Sequence, residues 1–196
     1  MKILLDLCAG LGGFSQAFKE RVDWQVVTVD FNPKFNTTMI LDLVDVVENP
    51  DKYSEFWHLK PDVILASPPC ERFSLAANSF PKPGIYQAMR VVGACLEIIT
   101  KMNPKGWILE NPKARLRWFL GVPNKTVNLS HFGYRTVKPT DFWTNIDIDV
   151  PQFVRERNPE GISFNQVKSA SARAKMPYAL SEHILDKSDE MLKEIK

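Results

Sequence analysis

An α/β fold, with a mostly parallel sheet and an antiparallel edge strand, is predicted by three features of the chain. Short apolar runs such as Val63-Ile64-Leu65-Ala66 and Trp107-Ile108-Leu109 read as strands buried on both faces. Between them lie stretches with apolar residues at helical spacing, of which Met89, Val92, Cys95, Leu96 and Ile99 are the clearest. Several runs stop abruptly at glycine, proline or a polar pair, the punctuation of strand-to-helix turns. At 196 residues the chain has the length of one domain and can bury a substantial core. No repeat, low-complexity segment or second domain is visible, so residues 1–196 read as one unit.

Hydrophobic content of 44% and charged content of 24% are those of an ordinary soluble globular protein. A net charge of +2 permits a polyanion as partner without arguing for one, so a nucleic-acid partner must be argued from local placement of charge. Cys8, Cys70 and Cys95 are odd in number and lack CxxC spacing, which suggests neither a disulfide framework nor a zinc knuckle. His58, His131 and His183 are scattered, so no metal site is expected. No apolar run reaches the roughly 20 residues of a membrane span, and Met1-Lys2 opens straight into a strand rather than a signal peptide. The expectation is a reducing, cytoplasmic setting with no membrane partner.

The first strand is Lys2-Ile3-Leu4-Leu5-Asp6-Leu7. Cys8-Ala9-Gly10-Leu11-Gly12-Gly13 breaks it, and a helix starts near Phe14. Such a loop lets a ligand approach the backbone at a helix N-terminus, although glycines in α/β turns also serve purely structural ends. The second strand, residues 24–29, ends at Asp30, and an acid there suits the two hydroxyls of a ribose. Because Asn32-Pro33 follows, Asp30 also suits a helix cap. Loop and acid together point to an adenosyl cofactor. Residues 39–47 fit strand or helix; the reading adopted is a short strand, 39–41, ending at Asp42, and a helix over 52–59 follows.

The run 63–66 then meets Ser67-Pro68-Pro69-Cys70. Two prolines cannot continue a strand ladder, so the chain leaves the sheet there. Cys70 lands beyond the carboxyl end of a strand, where open α/β sheets bind ligands, and is a candidate nucleophile. The commoner fate of a cysteine is the core, but Ser67, Pro69, Glu71 and Arg72 are poor company for that. A loop at 80–84 precedes a helix over 85–102 that makes Cys95 a core residue. The next strand ends in Glu110-Asn111-Pro112, which puts Glu110 at the same rim as Cys70. Lys113, Arg115 and Arg117 alternate with Ala114, Leu116 and Trp118, either a phosphate-gripping edge or a solvated helix face. Strands at 126–129 and 140–144 form the antiparallel edge. Residues 148–165 read as loop, Ser169-Ala170-Ser171 as the cap of a short helix through Lys175, and a last helix follows Pro177 with Leu180, Ile184 and Leu185 inside.

These residues resemble the cytosine-C5 methyltransferases that use S-adenosylmethionine. Asp6-Leu7-Cys8-Ala9-Gly10-Leu11-Gly12-Gly13-Phe14-Ser15 is similar to that family's first motif, with Cys8 where Phe usually stands. Pro69-Cys70 with Phe73-Ser74 resembles the nucleophile motif, and Glu110-Asn111-Pro112 the Glu-Asn-Val motif, with Pro112 in place of valine. The family's Gln-x-Arg-x-Arg element falls near residues 136–140, where Lys138 alone is basic and Arg135 or Lys138 takes its part. Ser171-Ala172-Arg173-Ala174-Lys175-Met176-Pro177 resembles the late motif whose arginine helps fix the architecture. Where the family inserts a large target-recognition region, only about 20 residues, 148–168, stand here, too few for an independent module. The pattern is most similar to compact members found in some viral genomes.

The resemblance implies a Rossmann-like S-adenosylmethionine-dependent methyltransferase fold, with Cys70 adding to C6 of cytosine and Glu110 serving N3. It implies a cofactor path along Leu7, Cys8, Ala9, Gly10, Gly12, Gly13 and Phe14, with Asp30 at the ribose, Asp42 near the adenine amine, and Phe31 and Pro68 alongside. On the substrate side it places Pro69, Ser74, Asn111, Arg135, Lys138 and Arg173. The expected partner is nucleic acid, DNA foremost, with a partner subunit for target recognition as a further possibility. RNA, a free nucleotide, or a non-catalytic cofactor-binding partner role stand as alternatives.

Overall fold

The described residues of the computed structural model are 1–75, 81, 83–134, 136–149 and 175–195. Among them the apolar runs form β1 (Lys2–Leu7), β2 (Trp24–Asp30), β3 (Met39–Ile40), β4 (Val63–Ala66), β5 (Gly106–Pro112), β6 (Lys125–Asn128) and β7 (Pro139–Thr144). They make one sheet in the order β3-β2-β1-β4-β5-β7-β6. β1 to β5 are paired in parallel, while β7 is antiparallel to both of its neighbours. The antiparallel edge is thus present, with the reversed strand lying inside β6. The central strands β1 and β4 are buried nearly throughout, which is why they read as unbroken apolar runs.

The helices are α1 (Gln16–Lys19), α2 (Leu43–Glu48), α3 (Ser54–Trp57), α4 (Ile85–Met102), α5 (Arg117–Leu120) and α6 (Tyr178–Glu194). Alternation along the strands sorts the core into two layers. Leu5, Leu7, Val27, Val29, Ile64, Ala66 and Leu109 face α2, α3 and α4, where they meet Val46, Phe56, Val92, Cys95 and Ile98. Leu4, Trp24, Val63, Leu65 and Ile108 face the other way, against Phe14, Phe18, Leu180 and Ile184 of α1, α6 and the loop between β1 and α1. Cys95 is fully buried, as its place on the inner face of α4 predicts.

In the ambiguous stretch 39–47, strand gives way to helix at Asp42. Its carboxylate accepts the Val44 N–H at 2.9 Å and caps α2. The helix expected over 52–59 is a 3-10 turn, Pro50–Tyr53, running into the single turn of α3, because Pro50 starts the coil early. α1 is also one turn only, too short to stand alone. It leans on α6 through Ser181, whose hydroxyl donates to the Phe14 carbonyl at 2.8 Å and accepts the Ala17 N–H at 3.0 Å. A Cβ on Gly13 would lie 3.2 Å from the Met176 nitrogen, so glycine there lets the chain entering α6 pack on the first loop. Residues 150–165 of the loop read at 148–165, the Ser169-Ala170-Ser171 cap of the short helix, Arg135 and Arg173 lie outside the described residues. Among the described residues no helix is long and apolar enough to cross a membrane.

One member of the basic run is structural. Arg117 pairs with the fully buried carboxylate of Asp141 on β7 and donates to Thr126 Oγ1 on β6 at 2.7 Å, tying α5 to the antiparallel edge. Removing the guanidinium leaves a buried charge without its partner, at a cost of about 3 kcal/mol. Arg117→Ala is expected to lower the urea midpoint accordingly, and adding Asp141→Asn should recover most of the loss. Equal midpoints for wild type and Arg117→Ala would show the pair to be idle.

Candidate active site

Strand register lines up the tips. Leu7 pairs with Val29 and with Ala66, and Ala66 pairs with Leu109. One residue further along each strand, Asp30, Cys8, Ser67 and Glu110 therefore stand in a row across the carboxyl edge of β2, β1, β4 and β5. Four apolar runs give way together to polar groups, at the edge where such sheets bind ligands.

On the β1–β2 side, Cys8, Gly10 and Gly12 have φ of 55°, 52° and 72°, a left-handed path that folds the loop back on itself. The Gly12 N–H closes it on the Ala9 carbonyl at 2.7 Å. The Asp30 carboxylate accepts the Gly10 N–H at 3.0 Å and the Asn32 N–H at 2.9 Å, so it fastens loop to strand. The cap of the 3-10 turn Pro33–Phe35 belongs to Asn32, which accepts the Lys34 N–H. A Cβ added at Gly10 would meet nothing within 4 Å, so open space lies over the loop. Beyond Asp30, Phe31 is 67% exposed. Asp42 is exposed and engaged as the α2 cap, and Pro68 is buried.

Beneath the loop, Asp6 is fully buried. One oxygen accepts the Ser15 hydroxyl at 2.5 Å, while Oδ1 has no hydrogen-bond partner among the described residues. Burial pushes this carboxyl up to about 7, against the pull of Ser15 and Lys19. Cys8 is half-buried, and a hydrogen bond with the Cys95 thiol, reinforced by burial, holds its own thiol well above the ordinary range. A glycine loop with an open face, an acid at the strand tip, an exposed ring and a buried unsatisfied acceptor together suit an adenosyl group with a cationic end.

On the β4–β5 side, the Ser67 N–H still bonds to the Leu7 carbonyl at 3.0 Å, and the prolines then turn the chain outward. The Phe73 and Ser74 N–H groups both donate to the Cys70 carbonyl, at 3.1 and 3.0 Å, so Cys70 heads a single tight turn. Phe73 is fully buried and anchors that turn in the core. Asn111, fully buried, donates its amide to the Pro68 carbonyl at 3.0 Å. The Arg115 N–H donates to the Phe73 carbonyl at 3.2 Å, and its Nη1 to the Ser74 carbonyl at 2.9 Å. The extension of β5 thus grips the Cys70 turn at three points.

Glu110 is 6% exposed and hydrogen-bonded to the Ser67 side chain. Burial pushes its carboxyl up to about 7; the Lys138 ammonium and Ser67 pull it down without cancelling burial. Cys70 is half-buried, and its thiol is raised by burial first and by the Glu110 charge second, with Lys138 acting in the opposite sense. Lys138 is itself buried, its Nζ 5.3 Å from the Tyr134 ring centroid. Thiolate and carboxylate repel, so the pair retains one proton over a wide pH range. A thiol held up by burial and by the neighbouring charge therefore shares this rim with a carboxyl that takes up its proton at about 7.

Cys70, Glu110, Lys138, Ser74, Pro69 and Asn111 gather at this end of the edge, and the first loop with Asp30 and Phe31 lies beside them. Asn111 is closed to solvent and serves the turn rather than the surface. Ser67, Asp6 and Ser15 stand within the stretches quoted from the sequence, but the sequence assigned none of them a role of its own. An aspartate among leucines was the available sign for Asp6, since such a burial demands a partner.

A family profile described as C-5 cytosine-specific DNA methylase matches residues 2–159. The probable DNA (cytosine-5)-methyltransferase of Frog virus 3 (isolate Goorha) is 30% identical over 197 residues, covering 86% of each chain. Among solved structures, an E. coli protein encoded within a prophage and assigned as a DNA modification methyltransferase superposes with a TM-score of 0.53 at 16% identity, covering 77% of this chain and 49% of that one. The S. pombe Dnmt2 methyltransferase gives 0.50 at 14% identity, covering 84% and 54%. This chain spans about half the length of those two solved chains, and their likeness carries the fold.

The Asp6 carboxyl ionises near 4 in the unfolded chain and at about 7 when folded. Its contribution to stability is therefore whole below pH ~4 and lost as pH rises to ~7. Asp6→Asn keeps an acceptor for Ser15 and removes that loss. Its melting temperature relative to wild type should climb by about 3–8 °C between pH ~5 and pH ~8. A difference that stays constant across that interval would mean Asp6 is charged throughout.

Proposed function

We propose the reaction from a family premise: the chain belongs to the C-5 cytosine-specific DNA methylase family. On this reading it transfers a methyl group from S-adenosylmethionine to C5 of cytosine in DNA, through a covalent adduct of Cys70 at C6. The observation that carries it is the meeting of Cys70, Glu110 and Lys138 at the sheet edge beside the glycine loop.

Cytosine C5 is too electron-poor to take a methyl group unaided. The Cys70 thiolate adds at C6, forming an S–C bond and pushing the ring electrons toward C5 and N3. Glu110 gives its proton to N3 and so neutralises the charge that addition creates. The Lys138 ammonium favours the thiolate, and the one-proton state of the pair leaves that proton on Glu110 when Cys70 attacks. S-adenosylmethionine, when bound, supplies the electrophilic methyl group for C5. Once C5 carries it, a base removes the C5 proton, the C5–C6 double bond re-forms, Cys70 leaves as thiolate and the N3 proton returns to Glu110. Asp30 would hold the ribose hydroxyls, the backbone of Leu7 to Gly13 with Phe14 would line the cofactor, and Phe31 would cover the adenine. Asp42 is engaged through Oδ1, so any contact with the adenine amine goes through Oδ2. Pro69, Ser74 and Lys138 border the pyrimidine, while Asn111 positions the Cys70 turn. A cytosine within a duplex lies out of reach of the thiol, so duplex DNA must release it by flipping.

Incubation with labelled S-adenosylmethionine and duplex DNA, single-stranded DNA, RNA or dCMP, then digestion to nucleosides, should place the label in 5-methyldeoxycytidine. Label found solely in RNA or in the nucleotide would change the substrate. Cofactor binding without label anywhere would favour a partner role. Cys70→Ser is expected to abolish transfer while leaving the calorimetric cofactor Kd unchanged.

Glu110→Gln should slow transfer by ~100-fold or more. In the wild type, kcat/KM falls below about pH 7, where Glu110 and Cys70 both hold protons. In Glu110→Gln only the thiol titrates, so that limb should move up toward the thiol's own value. A limb that stays near 7 in the variant would exclude the pairing.

A further inference from the structure

Beside the Cys70 turn, the chain from Lys113 to Phe119 and the turn itself present exposed aromatic and cationic side chains. Trp118 is 67% exposed, Phe119 46% and Leu75 63%, an unusual concentration of apolar surface around one turn. All three are held by the elements that hold the nucleophile. The Phe119 ring stands at a steep angle to buried Phe73, 6.1 Å between centroids, and Leu75 directly follows Ser74. Arg115, bonded to the Phe73 and Ser74 carbonyls, lies 5.8 Å from the Trp118 ring centroid and braces the indole. Lys113 is exposed on the same β5 extension. Arg72, exposed on the Cys70 turn, adds a cation, and Glu71 contributes one opposing charge.

We propose that Trp118 and Phe119, flanked by Arg72, Lys113 and Arg115, form a stacking strip for the bases next to the target cytosine, so that the substrate is gripped as single-stranded or locally opened nucleic acid. The inference rests on the proposed cytosine chemistry for its target base, but its binding test does not. A cytosine lifted to Cys70 leaves the faces of its neighbours unstacked. An indole and a phenyl ring at the rim replace that stacking whatever the base, because every base has a π face. The cations meet the phosphates that run between those bases. This supplies a grip that needs no sequence-reading module. A docked protein would also cover apolar surface, but two exposed cations, Arg72 and Lys113, against one exposed carboxylate, Glu71, favour a polyanion.

The test is binding, read by anisotropy of a fluorescein-labelled single strand of about 12 nucleotides and of its duplex. Trp118→Ala should weaken single-strand binding by about 5- to 150-fold, and Trp118→Phe should restore most of it. Trp118→Leu keeps apolar bulk without a π system and should behave as Ala; wild-type affinity in Trp118→Leu would overturn stacking in favour of a plain apolar contact. Lys113→Ala should lower the salt slope by about one unit for single strand and duplex alike. Cofactor affinity and melting temperature of the Trp118 variants should match wild type, and a loss of either would mean the residue is structural. Methylated DNA together with unchanged strand binding by Trp118→Ala would sink the strip alone. Trp118-dependent binding with no nucleic acid methylated would sink the reaction and leave the strip standing.

Discussion

One hydrogen bond fixes the geometry on which everything else depends: the Asn111 amide to the Pro68 carbonyl. β4 and β5 are parallel neighbours, but their chains part at the sheet edge, one turning out through two prolines and the other running on to Pro112. A proline segment has few donors with which to fasten itself. Asn111 supplies one from the adjacent strand, and Arg115, four residues further along the chain, repeats the grip at Phe73 and Ser74. The Cys70 turn is thereby attached to the strand that bears Glu110, one residue before Asn111. Thiol and carboxyl cannot drift apart without breaking buried polar bonds, each expensive to leave unmade.

The same edge carries an energetic burden. Asp6 and Glu110 are carboxyls buried among apolar strands, and both are raised to about 7. Among the described residues neither makes an ion pair of the kind Asp141 makes with Arg117, and Lys19 and Lys138 act on them only as nearby charges. A chain selected for stability alone would put apolar residues at both places. The strain is concentrated at the strand tips, where a reaction that moves protons near neutral pH needs groups poised to exchange them. Lys138 tempers the cost at one end, and Ser15 at the other. The helices on both faces contribute long apolar faces that stabilise the sheet holding the tips in register.

Much of this was legible in the chain because strand tips announce themselves. Runs of Val, Ile and Leu that stop at Asp30, at Ser67-Pro68-Pro69 and at Glu110-Asn111-Pro112 have few ways to be arranged, and the parallel order follows from alternation with helices. What stayed hidden depended on partners distant in sequence. Arg117 looked as able to hold a phosphate as its neighbours Lys113 and Arg115 did. Only Asp141, 24 residues on, makes it structural. Asp42 was read at a strand end, whereas its backbone and carboxylate start α2, a decision made by the packing of Leu43 and Val46. Ser67 gave no sign of its bond to Glu110, because nothing local says which residue of β5 stands in its row.

The central claim is that Cys70 and Glu110 flank one pyrimidine ring, and it is tested most directly by trapping the covalent state. A DNA strand bearing 5-fluorocytosine has no C5 proton to surrender, so an adduct formed in the presence of S-adenosylmethionine cannot eliminate Cys70. Peptide mass spectrometry of the trapped complex should find the modified nucleotide on Cys70, formed more slowly in Glu110→Gln. A nucleotide attached to Cys8 or Cys95, or an adduct that persists in Cys70→Ser, would contradict the account.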